Sequence, residues 1–120
     1  MIVKNNQLKQ DILTALADKE MLKILNLSMY NSKSVNEIIR ESDISYTTVY
    51  RKSKWLLDRE LLVVDKINLT PEGKKYTTFR SVLKSIIIKY RQDEIIVEFE
   101  ENVDLIGKNG AHFFSMPSTM

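Results

Sequence analysis

Residues 44–57 constrain the fold of this chain most strongly, because they place two chemically different sides at helical spacing. Ser45 offers a hydroxyl that can cap a helix by accepting a backbone N–H of the first turn. Beyond that cap, Val49, Leu56 and Leu57 mark a side that can be buried. The other side carries polar and aromatic residues, namely Tyr46, Thr47, Tyr50, Arg51 and Lys54.

This pattern predicts an amphipathic helix over residues 45–59 whose polar side suits the major groove of DNA. The stretch 44–57 contains three basic residues and no acidic one. Hydroxyl groups and arginine can read base edges in the groove, while lysine can hold phosphate. The alternative is a charged helix face that contacts only solvent, and the elements on either side must decide between the two.

The composition indicates one globular domain and excludes several classes of protein. The chain has 120 residues, of which 43% are hydrophobic and 28% are charged. No apolar run approaches the roughly 18 residues of a membrane span, and no apolar segment typical of a signal peptide follows Met1. The chain contains no cysteine, which excludes disulfides and thiolate metal sites. We therefore expect a cytoplasmic protein with no membrane partner, no metal and no cofactor.

The net charge of +2 conceals an uneven distribution of charge along the chain. Residues 73–91 contain six basic residues and no acidic one, whereas residues 93–104 contain six acidic residues and no basic one. The sequence therefore predicts a basic surface beside an acidic one. A basic surface attracts phosphate by releasing condensed counterions.

The first part of the chain is predicted to be helical. After a loose start over residues 1–6, apolar residues recur at helical spacing from residue 8 to residue 16, and Asp18 can cap a second helix. Ser34 and Glu37 match a capping box, which begins a short third helix. Asp43 then lies in a tight turn before the amphipathic helix. Two short helices joined in this way form a helix-turn-helix.

The second part of the chain is predicted to form two β-hairpins. Residues 61–69 read as a strand, residues 70–73 as a turn, and residues 74–80 as a returning strand with Lys74 and Lys75 near the tip. A helix that begins in this turn, with its proline at the first position, is the alternative.

A second hairpin is predicted from the period of two that follows residue 82. This hairpin can extend the first sheet or pair two subunits edge to edge. The sequence divides into a domain over residues 7–81, a hairpin extension over residues 82–104 and a flexible tail over residues 105–120. The expected cross-strand pairs are Ile88 with Val97, Ile86 with Phe99, and Lys84 with Glu101.

From Ala15 to Arg80, the order and spacing of these motifs resemble winged helix-turn-helix transcription regulators of the arsenic-repressor (ArsR) type, particularly the archaeal ones. The resemblance implies that the helix beginning at Ser45 enters the major groove and that the following hairpin, the wing, touches flanking phosphates. The residues that carry it are Ala15–Asp18, Ile24–Leu25, Ser34–Ile38, Ile44–Arg51, Leu56 and Leu61–Val63.

The sequence also departs from that family. Ser53 stands where the family usually has a core leucine, and Glu60 stands where it often has a glycine. The cysteines of the metal-sensing members are missing, so thiolate-based sensing does not carry over. The last helix, which forms dimers in those proteins, is also not evident. Trp55 is expected to pack between helix and wing rather than to stack on a base.

Together these observations predict an α+β protein: a winged helix-turn-helix with three to four helices, a β-hairpin wing and an extra C-terminal β-hairpin. The expected function is transcription regulation by a homodimer that binds double-stranded DNA. Base edges would be met by Tyr46, Thr47, Tyr50 and Arg51, and phosphates by Lys54, Lys74 and Lys75. The alternative function is a winged-helix module that binds other proteins without specific DNA binding. No nucleophile-plus-base arrangement supports catalysis, so we do not expect an enzyme.

Overall fold

Four helices form the first half of the protein in a computed structural model, which describes residues 1–102. The expected tail over residues 105–120 lies outside the described residues. The helices are α1 (Asn6–Ala17), α2 (Lys19–Leu27), α3 (Val35–Ser42) and α4 (Tyr46–Asp58).

The helix starts that the sequence predicts are confirmed, because each capping side chain meets its expected backbone donor. The Asp18 carboxylate accepts the first-turn N–H groups of α2, at 2.9 and 3.0 Å. Ser34 and Glu37 form the reciprocal capping box of α3. The Ser45 hydroxyl accepts the N–H of Thr48 at the start of α4. Such a cap contributes about 1 kcal/mol to stability.

Two antiparallel hairpins form the second half, and they belong to separate two-stranded sheets. The second hairpin therefore does not extend the first sheet. The first hairpin consists of β1 (Leu62–Leu69) and β2 (Lys75–Ser81), and the second of β3 (Leu83–Arg91) and β4 (Glu94–Glu101).

The turn of the first hairpin rules out the alternative helix. The Thr70 N–H donates to the Lys74 carbonyl at 2.8 Å, and the Gly73 N–H donates to the Thr70 carbonyl at 2.9 Å. Gly73 has φ +88°, a conformation that glycine adopts without the steric cost of a Cβ atom. These bonds close a tight turn, so the chain reverses here and does not continue as a helix.

The register of the second hairpin confirms two expected pairs and corrects the third. Ile88 faces Val97 and Ile86 faces Phe99, as predicted. Lys84 does not face Glu101, because the register shifts between Leu83 and Ser85 and Glu101 lies opposite Leu83. The register shift at Lys84 is a β-bulge or a similar irregularity, and strand periodicity alone does not predict such a shift.

The expectation of a loose start over residues 1–6 is wrong. The N–H of Val3 donates to the Val97 carbonyl at 2.8 Å, and the N–H of Phe99 donates to the Met1 carbonyl at 2.9 Å. The Val3 side chain is buried, with 5% of its surface exposed. The first residues thus line the outer side of β4.

The core joins the helices to both hairpins. Each fully buried aliphatic side chain contributes about 1.5–3 kcal/mol relative to an exposed one. The α+β class is therefore confirmed, and the order of elements is compatible with a winged-helix-like fold. The core side chains with almost no exposed surface are Ile12, Ile24, Ile38, Val49, Leu56, Leu61, Leu62 and Val97.

A partly buried cation, Lys52, connects α4 to α2. Lys52 Nζ contacts the Asp18 carboxylate and lies 2.8 Å from Glu20 Oε1, while only 12% of the Lys52 side chain is exposed. Hydrogen bonds to these two carboxylates raise the pKa of Lys52. Burial raises the pKa of Asp18, but hydrogen bonds from Lys52 and from two backbone N–H groups outweigh burial and lower it.

These directions fix the pH range in which the pair stabilises the fold. A lowered pKa means that Asp18 stabilises the folded state above its unfolded pKa of about 4, and that this stabilisation is lost as the pH falls through the folded pKa. A raised pKa means that Lys52 contributes fully below its unfolded pKa of about 10.4 and loses its contribution only at higher pH.

We predict that Asp18→Ala lowers the free energy of unfolding by about 2 kcal/mol at neutral pH, because it removes both the cap and a charged hydrogen-bond partner. Asp18→Asn retains a capping side chain and should cost less. Urea unfolding followed by circular dichroism measures both. The deficit of Asp18→Asn should shrink between pH 5 and pH 2.5, whereas Glu72→Gln, at an exposed turn carboxylate, should have no effect. A deficit that does not change with pH would contradict the role of the charge.

Candidate nucleic-acid interface

The outer face of α4 is defined here as the five polar and aromatic residues that the sequence assigns to one side of the helix. All five are exposed, including the two tyrosine rings, with 60% and 57% of their surface accessible. The opposite side of α4 is buried in the core. The outer face consists of Tyr46, Thr47, Tyr50, Arg51 and Lys54.

Two tyrosines on the outer face stack on each other. The ring centroids of Tyr46 and Tyr50 lie 6.1 Å apart, and the ring planes are inclined by 17°. The residues are one helical turn apart, so the helix itself sets this geometry. Stacking limits the rotamers of two large exposed side chains. The two phenol groups are therefore held in place without a binding partner.

The cations of the outer face are available to an anionic ligand. Within residues 1–102, Arg51 makes no ion pair and no side-chain hydrogen bond. Lys54 Nζ lies 3.4 Å from Asp58 Oδ2, with both side chains more than half exposed. An exposed pair of this kind contributes little and is easily exchanged. The first turn of α4 contains no acidic residue, so its N-terminal partial charge is not offset there.

The third basic residue of the stretch does not share this surface. Lys52 points to the opposite side of α4, toward the carboxylates of α2. Its role could not be read from the sequence, because its partner Asp18 lies 34 residues away in the chain. The helix thus separates one cation that anchors it from two that face outward.

Trp55 belongs to the anchored side of α4. Its partly buried ring packs against the core and lies under Arg59, whose Cζ is 3.9 Å from the ring centroid. Arg59 Nε in turn lies 3.5 Å from Asp11 Oδ1 of α1. The contacts described for Trp55 are with the core and with Arg59, and its expected packing between helix and wing stays a prediction.

The prediction of a basic surface over residues 73–91 holds only in part, because the six basic residues do not share one surface. Arg80 is buried, with 6% exposed, and its Nε donates to the Met29 carbonyl at 3.1 Å. Lys89 lies on the second hairpin opposite Ile96, and its Nζ is 3.6 Å from Glu98 Oε2. Lys74 and Lys75 are exposed at the tip of the first hairpin. The cations of residues 73–91 are therefore divided between the two hairpins and the core.

The sequence interpretation missed one exposed cation on the first hairpin. Lys66 lies on β1 opposite Thr78 and is exposed. The interpretation considered only the basic run that starts after the turn. Strand alternation places Lys66, which lies opposite Thr78, on the other face of the hairpin from Lys75.

Both departures from the family pattern leave a local structural cost. Ser53 is buried, with 3% exposed, and its hydroxyl oxygen has no hydrogen-bond partner. Glu60 has φ +60°, a left-handed conformation that glycine adopts more readily. Both residues lie near the side of α4 that is anchored rather than on the outer face.

We predict that Ser53→Ala raises the free energy of unfolding by about 1 kcal/mol, because it removes a buried hydroxyl without a partner. Ser45→Ala is the matched control in the same helix and should lower it by about 1 kcal/mol, since that hydroxyl caps α4. Thermal unfolding monitored by circular dichroism compares the two. A loss of stability in Ser53→Ala larger than in Ser45→Ala would contradict the account of Ser53.

The described residues offer few sites for other chemistry. Across residues 1–102, no three His, Cys, Asp or Glu side chains come together as a metal site. A pocket of about 260 Å³ between α2 and β3 is lined mainly by apolar side chains, with Lys84 among its polar ones. No helix in this part of the chain is long and apolar enough to cross a membrane.

Comparisons of this chain with protein-family models, with curated proteins and with solved structures each found no match. The functional assignment therefore depends on the geometry of α4 and the first hairpin.

Proposed function

We propose that this protein is a winged helix-turn-helix regulator of transcription, ArsR-like in type, that binds double-stranded DNA through α4. The observation that carries the proposal is the outer face of α4. It holds a stacked tyrosine pair and an arginine without a partner among the described residues, while the reverse side of the same helix is buried. Exposed hydroxyls and cations on a rigid helix are what base and phosphate recognition in the major groove require.

Each residue of the outer face has a role in this proposal. Arg51 reads a guanine edge, because its guanidinium can donate two parallel hydrogen bonds to O6 and N7. The hydroxyls of Tyr46, Thr47 and Tyr50 contact neighbouring base edges, and the tyrosine rings can pack on a thymine methyl group. Lys54 binds a phosphate once it leaves Asp58.

In the same proposal, α3 and α4 form the helix-turn-helix, and the first hairpin is the wing. Asp43, with φ +60°, provides the sharp turn between the two helices. Lys74 and Lys75, exposed at the tip of the wing, hold phosphates beside the major groove that α4 enters.

The proposed functional unit is a homodimer in the cytoplasm. Two copies would present their α4 helices to half-sites about one DNA turn, roughly 34 Å, apart, and would favour a near-palindromic site. The cytoplasmic assignment is supported by the cysteine-free composition, since reducing compartments do not favour disulfides.

A second candidate is a winged-helix module that binds other proteins. It is favoured by aliphatic side chains on β1, where Ile67 is 68% exposed and Leu69 is 65% exposed. Such side chains suit an apolar partner better than a phosphate backbone. This candidate predicts only weak, salt-sensitive DNA binding, and a gel-shift assay at physiological salt separates it from the first.

In vitro selection from a random DNA pool, followed by fluorescence anisotropy, tests the role of Arg51. We expect Arg51→Ala to reduce the preference for the selected site over random DNA by about 1–3 kcal/mol, the typical discrimination of a bidentate contact. Lys23→Ala is the control, because it removes the same charge from an exposed position on α2. Unchanged discrimination in Arg51→Ala would remove Arg51 from base reading.

Replacing both Lys74 and Lys75 with alanine tests the wing. Loss of two phosphate contacts should reduce the slope of log K against log salt concentration by about 2, because each contact contributes about 0.9. Preference for the selected site should be retained, since phosphate contacts carry no sequence information. Binding titrations over a range of salt concentrations measure the slope, and an unaltered slope would remove the hairpin tip from the DNA contact.

A further inference from the structure

Among residues 1–102, the outer side of β3 in the second hairpin is not paired with another strand. The outer side of β4 is lined by residues 1–3, which form a bridge at Ile2 and Glu98. The only strand next to β3 in the described part of the chain is β4. An edge strand with free backbone N–H and C=O groups is a template for pairing with a further strand.

This edge carries exposed apolar side chains alongside three cations, Lys84, Lys89 and Arg91. Ile87 is 55% exposed, Ile88 is 46% exposed and Tyr90 is 75% exposed. Two of the three cations of the strand have acidic neighbours within the hairpin, because Lys89 Nζ lies 3.6 Å from Glu98 Oε2 and Arg91 lies opposite Glu94. Cations commonly discourage edge-to-edge association. Here the acidic neighbours of Lys89 and Arg91 offset part of the charge, while the aliphatic side chains remain exposed.

We infer that β3 pairs antiparallel with β3 of a second copy of this chain, about a two-fold axis at Ile88. The inference concerns the homodimer of the proposed function and does not depend on DNA binding. In such a dimer, residues at equal distances before and after Ile88 lie opposite each other, so the side chains of each such pair must be compatible. In this register Ile88 faces Ile88 of the second copy, Ile87 faces Lys89, Ile86 faces Tyr90, and Ser85 faces Arg91.

Charge and shape select this register over its neighbours. An axis at Lys89 would place two lysines opposite each other, and an axis at Tyr90 would place Lys89 opposite Arg91, which is destabilising. An axis at Ile87 would place Tyr90 opposite Lys84, where the strand pairing is irregular. With the axis at Ile88, the tyrosine packs on an isoleucine, a favourable cross-strand pair.

The same register brings opposite charges together between the copies. Ser85 Oγ donates to Glu100 Oε1 at 3.0 Å, so that carboxylate lies beside the position that Arg91 of the second copy would occupy. On the other face, Ile86, Ile88 and Tyr90 would form a continuous apolar row across both copies. The result is a four-stranded sheet with an apolar face. A sheet of three or more strands with such a face is more stable than an isolated two-stranded hairpin.

The oligomeric state of the full chain tests the inference. Sedimentation equilibrium should give twice the chain mass of 14.0 kDa for the unaltered protein. Ile88→Lys places two lysines on the axis and should raise the dimer dissociation constant at least about tenfold. Ile67→Lys is the matched control, because it adds the same charge at an exposed isoleucine of β1 and should leave the mass unchanged.

A charge-swap experiment tests the register itself. In the proposed dimer, residue 88 of one chain lies opposite residue 88 of the other chain. Ile88→Lys alone and Ile88→Glu alone should therefore be monomeric, because like charges would meet. An equimolar mixture of the two variants should form the mixed dimer. Circular dichroism establishes that each variant is folded. Any one of three results would overturn the inference: the mass of a single chain for the unaltered protein, equal effects of Ile88→Lys and Ile67→Lys on the dissociation constant, or no association in the mixture.

A cysteine variant covers the case in which the charged variants do not fold. The chain contains no cysteine, so Ile88→Cys introduces a single thiol. Mild oxidation should give a disulfide-linked dimer of Ile88→Cys and none of Ile67→Cys, and equal yields would overturn the inference. A dimer that binds no DNA would contradict the proposed function but not the β3 interface. A monomer that binds a selected site would contradict the β3 interface but not the DNA-binding function.

Discussion

The anchoring of α4 is the constraint on which the rest of the account depends. Val49 and Leu56 are fully buried on one side of the helix, and Lys52 binds two carboxylates of α2. Burial of apolar surface holds the helix in place but does not by itself fix its rotation about its own axis. The ion pair of Lys52 adds a directional contact and so determines which residues face outward. Tyr50 and Arg51 are exposed as a consequence of that rotation.

The basic residues of this chain divide into two groups with different roles. Lys52, Arg59 and Arg80 connect helices, strands and loops inside the molecule, through carboxylates, a carbonyl or an aromatic ring. A buried cation needs such partners, because an unpaired charge removed from water is costly. Arg51 and Lys74 have no ion pair among the described residues and extend into solvent. Net charge alone cannot distinguish these groups, so a chain with a net charge of +2 can still carry exposed cations without partners among residues 1–102.

Features encoded by neighbouring residues could be predicted from the sequence, whereas features that depend on the assembled core could not. The cap at Ser45 and the left-handed turn at Asp43 are local, and both are confirmed. The exposed side of α4 followed from its helical period. The burial of Arg80 depends on a carbonyl 51 residues away, and no local signal reports it. The pairing of Val3 with β4 and the register shift at Lys84 likewise require knowledge of which strands meet.

NMR titration of the isotopically labelled protein with the selected duplex tests the central claim most directly, because it reports every backbone amide at once. The account predicts that the largest chemical-shift changes occur along the outer face of α4, between Tyr46 and Lys54, with smaller changes at the tip of the first hairpin. Amides in α1 should remain unchanged. Changes confined to the second hairpin, or none along α4 at saturating DNA, would contradict the claim that the outer face of α4 is the DNA-binding surface.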